Sequence, residues 1–298
     1  AGDPEHAELF RKWASKLADT ATGQLGVQKA NVTVLTDAES LEGTGASGRS
    51  TREEVIKAFG ALASKAAQDD TVMIVLFGHG SFDGKTAKFN LPGPDMTPAE
   101  FAPLLAKIHS SRVVFVNTAS ASEPFVEALS GPGRVILAAT RSGSEKYATL
   151  FGGPFVDAFS TEAADTDRNG RVSILEAFTY AKNQVAAAYQ REGLMQTEHA
   201  VLDDNADREG SMEPGAQAKD GQSAAVLSLG AIKAQAAPAN EAVRALYAER
   251  DALERRIESL KLLKAGMDPD KYAAELEKLA TELALKTRQI REAEGKSK

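Results

Sequence analysis

Apolar positions along this chain follow two rhythms, and the alternation between them predicts its elements. From Glu5 to Thr20, Leu9, Phe10, Trp13 and Leu17 fall at helical spacing with His6 on the same side. Val55, Phe59 and Leu62 repeat the spacing behind Ser50–Glu53, which reads as a capping box. Phe101, Leu104, Leu105 and Ile108 repeat it again behind Thr97-Pro98-Ala99-Glu100, a second box with proline at the first helical position. Further helices are expected near Phe125–Leu129 and over Ile174–Ala188. Between them stand short apolar runs that read as strands: Asn31–Leu35, Thr71–Phe77, Val113–Val116, Arg134–Ala139 and a final one at Ala225–Leu229. Gly, Ser and Glu fill 39–49, an expected exposed loop, and the Phe77–Thr97 stretch reads as a loop rich in Gly and Pro. Unbroken apolar character at 72–77 and 113–116 suits strands covered on both faces. Strands alternating with helices imply βαβ crossovers, hence an α/β fold with a mostly parallel sheet flanked by helices.

The rhythm changes near the C-terminus. Val243, Leu246, Leu253, Ile257 and Leu260 follow the alternating steps of a coiled-coil seam, and Tyr272, Leu276, Leu279, Leu283 and Ile290 resume it after Gly266-Met267-Asp268-Pro269. Asp268 is a plausible helix cap there. Two amphipathic helices joined by a tight turn predict an antiparallel helical hairpin. We therefore expect an α/β domain over 1–235 and a coiled-coil hairpin over 236–298, the hairpin packing on its own domain or mediating protein–protein contact or self-association.

Composition narrows the partners. The chain is 43% apolar and 26% charged, enough for a sizeable core, with a net charge of −7 and no basic block. Nucleic acid and anionic membrane surfaces are therefore not expected partners. No apolar run approaches the roughly 20 residues that span a bilayer. Cysteine is absent, which removes disulfides and thiol chemistry; with no His pair at ligand spacing either, a zinc site is not expected. The chain begins at Ala1 rather than Met, as a trimmed or processed chain would.

Candidate chemistry collects at two strand ends. Thr71–Phe77 runs into Gly78-His79-Gly80-Ser81, and Val113–Val116 runs into Asn117-Thr118-Ala119-Ser120-Ala121-Ser122. In open parallel sheets, ligands and catalytic groups gather beyond such carboxyl ends. Together with Asp69-Asp70-Thr71, Ala138–Glu145, Gly153–Phe159 and the acidic loop that follows, these motifs resemble, in order and spacing, the caspase/legumain clan of cysteine peptidases, particularly its bacterial members. The resemblance covers roughly residues 5–230 and leaves out the C-terminal hairpin. It implies a caspase-like sheet, a peptide or protein substrate, and peptide-bond hydrolysis by a cysteine thiolate with a histidine assisting the leaving amine. His79 matches the family histidine. The family cysteine falls on Ala119, or on Ser120 if the register slips by one residue. Ala119 cannot attack, so in that register the chain is either a natural pseudoenzyme or a deliberately inactivated peptidase. Ser120 could attack only with a well-placed base, because an alcohol is far less acidic than a thiol. Asp83 is the acid nearest His79 in sequence. The alternative to a peptidase is a non-catalytic scaffold that binds partners through the old cleft or the hairpin.

Asp165-Thr166-Asp167-Arg168-Asn169-Gly170-Arg171-Val172-Ser173-Ile174-Leu175-Glu176 fits the 12-residue calcium loop. Side-chain oxygens of Asp165, Asp167, Asn169, Ser173 and Glu176 and the Arg171 carbonyl would bind Ca²⁺, with Gly170 making the sharp turn. The competing reading is an acidic turn whose Glu176 favours the start of the next helix. A weak extracellular-type calcium site would suit a periplasmic or secreted protein; otherwise the chain would be cytoplasmic. Asp203-Asp204-Asn205-Ala206-Asp207 lacks the turn glycine and final Glu and reads as a solvated loop. His6 and His109 are expected at the surface, and His199 beside the core.

Overall fold

Two of the apolar runs pair directly. In the computed structural model, which describes residues 3–38, 40–41, 45–231, 246, 249–250, 252–253, 256–257, 260 and 267–295, Thr71–Leu76 lies parallel to Arg112–Asn117. The chain divides into two compact units, residues 1–233 and 234–298.

In the first unit the helices are α1 (Pro4–Gly23), α2 (Arg52–Lys65), α3 (Pro98–Leu105), α4 (Pro124–Leu129), α5 (Gly152–Ala158), α6 (Ile174–Glu192) and α7 (Gln222–Val226). The strands are β1 (Leu35–Thr36), β2 (Gly48–Arg49), β3 (Thr71–Leu76), β4 (Gly80–Phe82), β5 (Ala87–Phe89), β6 (Arg112–Asn117), β7 (Arg134–Ala138), β8 (Arg171–Ser173), β9 (Val201–Asp203) and β10 (Ser228–Ala231). The main sheet runs β3-β6-β7-β9, parallel except for β9, which is antiparallel to β7. Side chains alternate across it, as the pleat demands. Val72, Ile74, Val113, Phe115, Ile136 and Ala138 join one core with Phe59, Phe101 and Phe125. Val114, Val116, Val135 and Leu137 join the other with Phe151, Phe155, Ile174 and Phe178. The sheet is therefore an α/β layer with apolar cover on both faces, and its β3, β6 and β7 ends open at one edge. Among the described residues no helix is long and apolar enough to cross a membrane.

Local expectations fail in four places, each for a visible reason. The Asn31–Leu35 strand shrinks to β1, because Val32 donates to Lys29 in a 3-10 turn and pairing starts only at Leu35. The Ser50–Glu53 box moves one residue on: Ser50 donates its N–H to Thr36, and Thr51 becomes the cap that accepts from Glu54 N. The stretch between Phe77 and Thr97 carries the β4–β5 hairpin. The Ala225–Leu229 strand is split, since Ala225 and Leu227 donate to the Gly221 and Ser223 carbonyls to close a helical turn, while β10 begins at Ser228 and pairs with β8 rather than the main sheet. The second box holds, with the Glu100 carboxylate accepting from both the N–H and the hydroxyl of Thr97.

In the second unit, Pro269–Gly295 is one helix started by Asp268, whose Oδ1 accepts from Asp270 N and Lys271 N. Leu253, Leu260 and Leu279 are buried together, with Ile257, Met267, Tyr272, Leu276 and Leu283 packed on them. Val243 lies outside the described residues.

Candidate functional site

The β3–β6 register sets Leu76 opposite Asn117, so the two chemistry-bearing segments leave the sheet side by side. Thr118 fastens them further, donating to the Leu76 carbonyl from its N–H (3.1 Å) and its hydroxyl (2.8 Å). Both glycines flanking His79 are required by close approach. A Cβ on Gly80 would stand 2.0 Å from the Ser120 carbonyl oxygen, and one on Gly78 would stand 2.6 Å from the Phe89 ring. Ser120 completes the contact: its hydroxyl donates to the Gly80 carbonyl (3.0 Å) and accepts from the Gly80 N–H (3.3 Å). The chain then turns at Ala121, a non-glycine residue at φ 53°, held by its N–H to the Glu145 carbonyl (2.8 Å). Left-handed backbone at such a residue is unfavourable and persists because its surroundings impose it.

His79 faces helix α1. Asp3 caps that helix by accepting from His6 N, and its carboxylate holds His6 Nδ1 at 2.9 Å and stands 3.8 Å from His79 Nε2. The His6 and Phe10 rings lie 4.8 and 5.2 Å from the His79 ring. Further along α1, Trp13 packs on Phe77 at 6.0 Å and lies so close to Gly152 and Gly153 that a Cβ on either would meet its indole within 3.0 Å. Burial pushes the His79 pKa below its ordinary value and the neighbouring His6 adds to this, while Asp3 opposes both.

The two candidate nucleophile positions, 119 and 120, are placed differently. Ala119 is wholly buried, clustered with Val113 and Phe115, and its N–H donates to Asn117 Oδ1. Ser120 is hydrogen-bonded to Gly80, and the described His79 contacts are with Asp3, His6 and Phe10. Asp83 accepts from Lys85 N and Thr86 N in the β4–β5 turn. The acid beside His79 is Asp3, from the far end of the sequence. The helical spacing of His6, Phe10 and Trp13 showed one face of α1 but not what it would cover.

A second constellation, unread in the sequence, stands beyond β7 and before β9. Glu145 Oε1 lies 2.5 Å from His199 Nδ1 and 3.3 Å from Arg141 Nε. Beside it Glu198 is 2% exposed and accepts from Leu150 N (2.7 Å) and Phe151 N (3.1 Å). Burial raises its pKa to about 7 against those hydrogen bonds, helped by the nearby Glu145.

The acidic loop is assembled. Carboxylate oxygens of Asp165, Asp167 and Glu176 lie within 4.8 Å of one another. Asp165 accepts from Asn169 N and Gly170 N, the latter residue at φ 83°, and Asp167 accepts from Asn169 N and Nδ2. Arg171 enters β8, donating its N–H to Asn169 Oδ1. Glu176 accepts from Thr166 and Asp167 through Oε1 and from Ser173 through Oε2, in a capping box with Ser173. Burial pushes its carboxyl up, but these hydrogen bonds outweigh that and hold its pKa low. Asp3, His6 and His79 form another set with ligand atoms within 4.8 Å of one another, two histidines brought together from 73 positions apart.

No family model matches the chain, and no curated protein matches it in sequence.

Proposed function

We propose that the α/β unit is a caspase/legumain-type domain whose peptidase dyad lacks its nucleophile, and that it acts as a binding domain for a peptide or protein ligand. One observation carries this reading. Position 119, where the family cysteine falls, is a buried alanine, and the adjacent Ser120 hydroxyl both donates to and accepts from Gly80. His79 keeps the family place at the β3 end, but its neighbours are Asp3, His6 and Phe10. A thiol at 119 would supply the missing attacking atom, with His79 handing a proton to the leaving amine.

The test is a peptide-library cleavage assay on the full chain. The unmodified protein should give no turnover, and Ala119→Cys should give turnover that His79→Ala removes. Turnover by the unmodified chain that both His79→Ala and Ser120→Ala abolish would overturn the binding-domain reading in favour of a serine peptidase.

Two further elements belong to this reading. The C-terminal helices close as an antiparallel coiled-coil hairpin that serves as a docking or self-association arm; the Leu253–Leu260–Leu279 cluster and the Lys286–Glu249 ion pair at 2.5 Å support it. The 165–176 loop is a Ca²⁺ site held by Asp165, Asp167, Asn169, Ser173, Glu176 and the Arg171 carbonyl, and it fits a periplasmic or secreted protein. Its support is the convergence of three carboxylates; the Asp165 and Asp167 oxygens each accept one hydrogen bond and keep a lone pair for a cation, whereas Glu176 would exchange some of its five hydrogen bonds for the ion.

A further inference from the structure

A second acidic group, at the opposite end of the sheet from His79, joins two buried aspartates to the solvent-accessible Asp207. Asp203 ends β9 opposite Ile136, the middle residue of β7, and is 1% exposed. Asp220, just before α7, is 3% exposed. Carboxylate oxygens of Asp203, Asp207 and Asp220 lie within 4.8 Å of one another. Asp203 Oδ1 accepts from Asn205 N and Ala206 N at 3.2 Å each, but its Oδ2 is buried without a hydrogen-bond partner. A buried anionic oxygen left unpaired is costly, and native proteins normally give such an atom a partner.

The nearby cation does not supply one. Lys219 Nζ lies 2.5 Å from Asp207 Oδ2 and 3.3 Å from Glu209, and its side chain is 66% exposed. It makes no ion pair with Asp203 or Asp220 among the described residues. The remaining neighbour is a further anion, Asp204, whose carboxylate accepts from Gly221 N and Ala224 N at 2.8 Å each and so caps α7.

We propose that Asp203, Asp207 and Asp220 bind one hard divalent cation of the Ca²⁺/Mg²⁺ class, at a site separate from the 165–176 loop. The donor set is all oxygen, which selects such ions over zinc or copper. Three carboxylates meet a dication's charge, water completes its coordination, and the exposed Lys219 ammonium moves aside. The ion fastens the end of edge strand β9 to the segment that starts α7, so its role is structural. It gives Asp203 Oδ2 the partner it lacks.

The test uses the full chain carrying Glu176→Gln, which disables the 165–176 loop, after stripping with EDTA. Calorimetric titration with CaCl₂ and with MgCl₂ should show one bound ion, and either salt should raise the thermal midpoint. Asp203→Asn or Asp220→Asn should weaken binding by about tenfold or more. Lys219→Ala, an exposed change that keeps all three ligands, should tighten it. Failure of the Glu176→Gln protein to bind either ion overturns the proposal. So does unchanged affinity in the Asp203→Asn protein, or a Lys219→Ala protein that binds more weakly than its parent.

Discussion

Gly80→Ala tests the central claim, that the two strand ends meet through backbone. The added Cβ would lie 2.0 Å from the Ser120 carbonyl oxygen, so reaching ordinary contact at 3.4 Å requires the segments to part by about 1.4 Å. The obstacle is main chain, which cannot rotate out of the way as a side chain can. Parting the segments breaks both bonds between Ser120 Oγ and Gly80, worth about 1 kcal/mol each. Displaced packing adds about 1–3 kcal/mol, giving a loss of about 3–5 kcal/mol in all. Gly80 is not among the positive-φ residues, so backbone strain at alanine adds nothing. Ser120→Ala is the control: it removes the bonds without the clash and should cost about 1–3 kcal/mol. Urea unfolding followed by fluorescence reads this unit selectively, because Trp13 is the chain's one tryptophan. A Gly80→Ala protein within 1 kcal/mol of the parent (the order of a single hydrogen bond), or one no less stable than Ser120→Ala, would refute the argument.

Three other outcomes follow from the geometry. NMR titration should place the His79 pKa below the ordinary value of about 6.5; because the unfolded chain then binds the proton first, this histidine's contribution to stability falls as pH drops below about 6.5, and His79→Gln should remove that component. Glu198 has the opposite sign: with its pKa raised from 4.5 to about 7, it lowers stability as pH rises through that window, by on the order of 3 kcal/mol, and Glu198→Gln should flatten the slope; an unchanged slope would count against the burial argument. Gly152→Ala puts a Cβ 2.7 Å from the Trp13 ring and should shift Trp13 emission to the red as α1 lifts; an unshifted spectrum would show that α1 is seated elsewhere.

The sequence made local features legible and long-range ones obscure. The strands at 71–76 and 112–117 were readable because burial on both faces demands unbroken apolar runs, and the Thr97–Glu100 box because its partners stand three residues apart. Strand β9 went unread: Val201–Asp203 is short and ends in a buried aspartate, and only pairing with β7 makes it a strand. Asp203 looked solvated for the same reason, since burial of an acid leaves no mark on its neighbours in sequence. His79 could be placed at a strand end from the residues before it, whereas its contacts with Asp3, His6 and Phe10 depend on where α1 packs.

Geometry also separates the two candidate nucleophile positions, 119 and 120. Ala119 continues the face that carries Val113 and Phe115, while Ser120 turns its hydroxyl to Gly80. For Ser120 to attack a carbonyl, it must release both Gly80 bonds and leave that N–H and C=O unpaired, at about 1–3 kcal/mol, before any proton transfer. It must also find His79 free of the Asp3 carboxylate and the two aromatic neighbours that now surround it. A thiol at 119 would leave the Ser120–Gly80 tie intact, so the strand ends would keep their spacing while chemistry proceeds. On this argument the tie belongs to the frame of the proposed dyad rather than to its reacting atoms. Ser120→Ala should therefore lower stability, and any turnover gained by Ala119→Cys should survive Ser120→Ala in protein that remains folded while disappearing with His79→Ala.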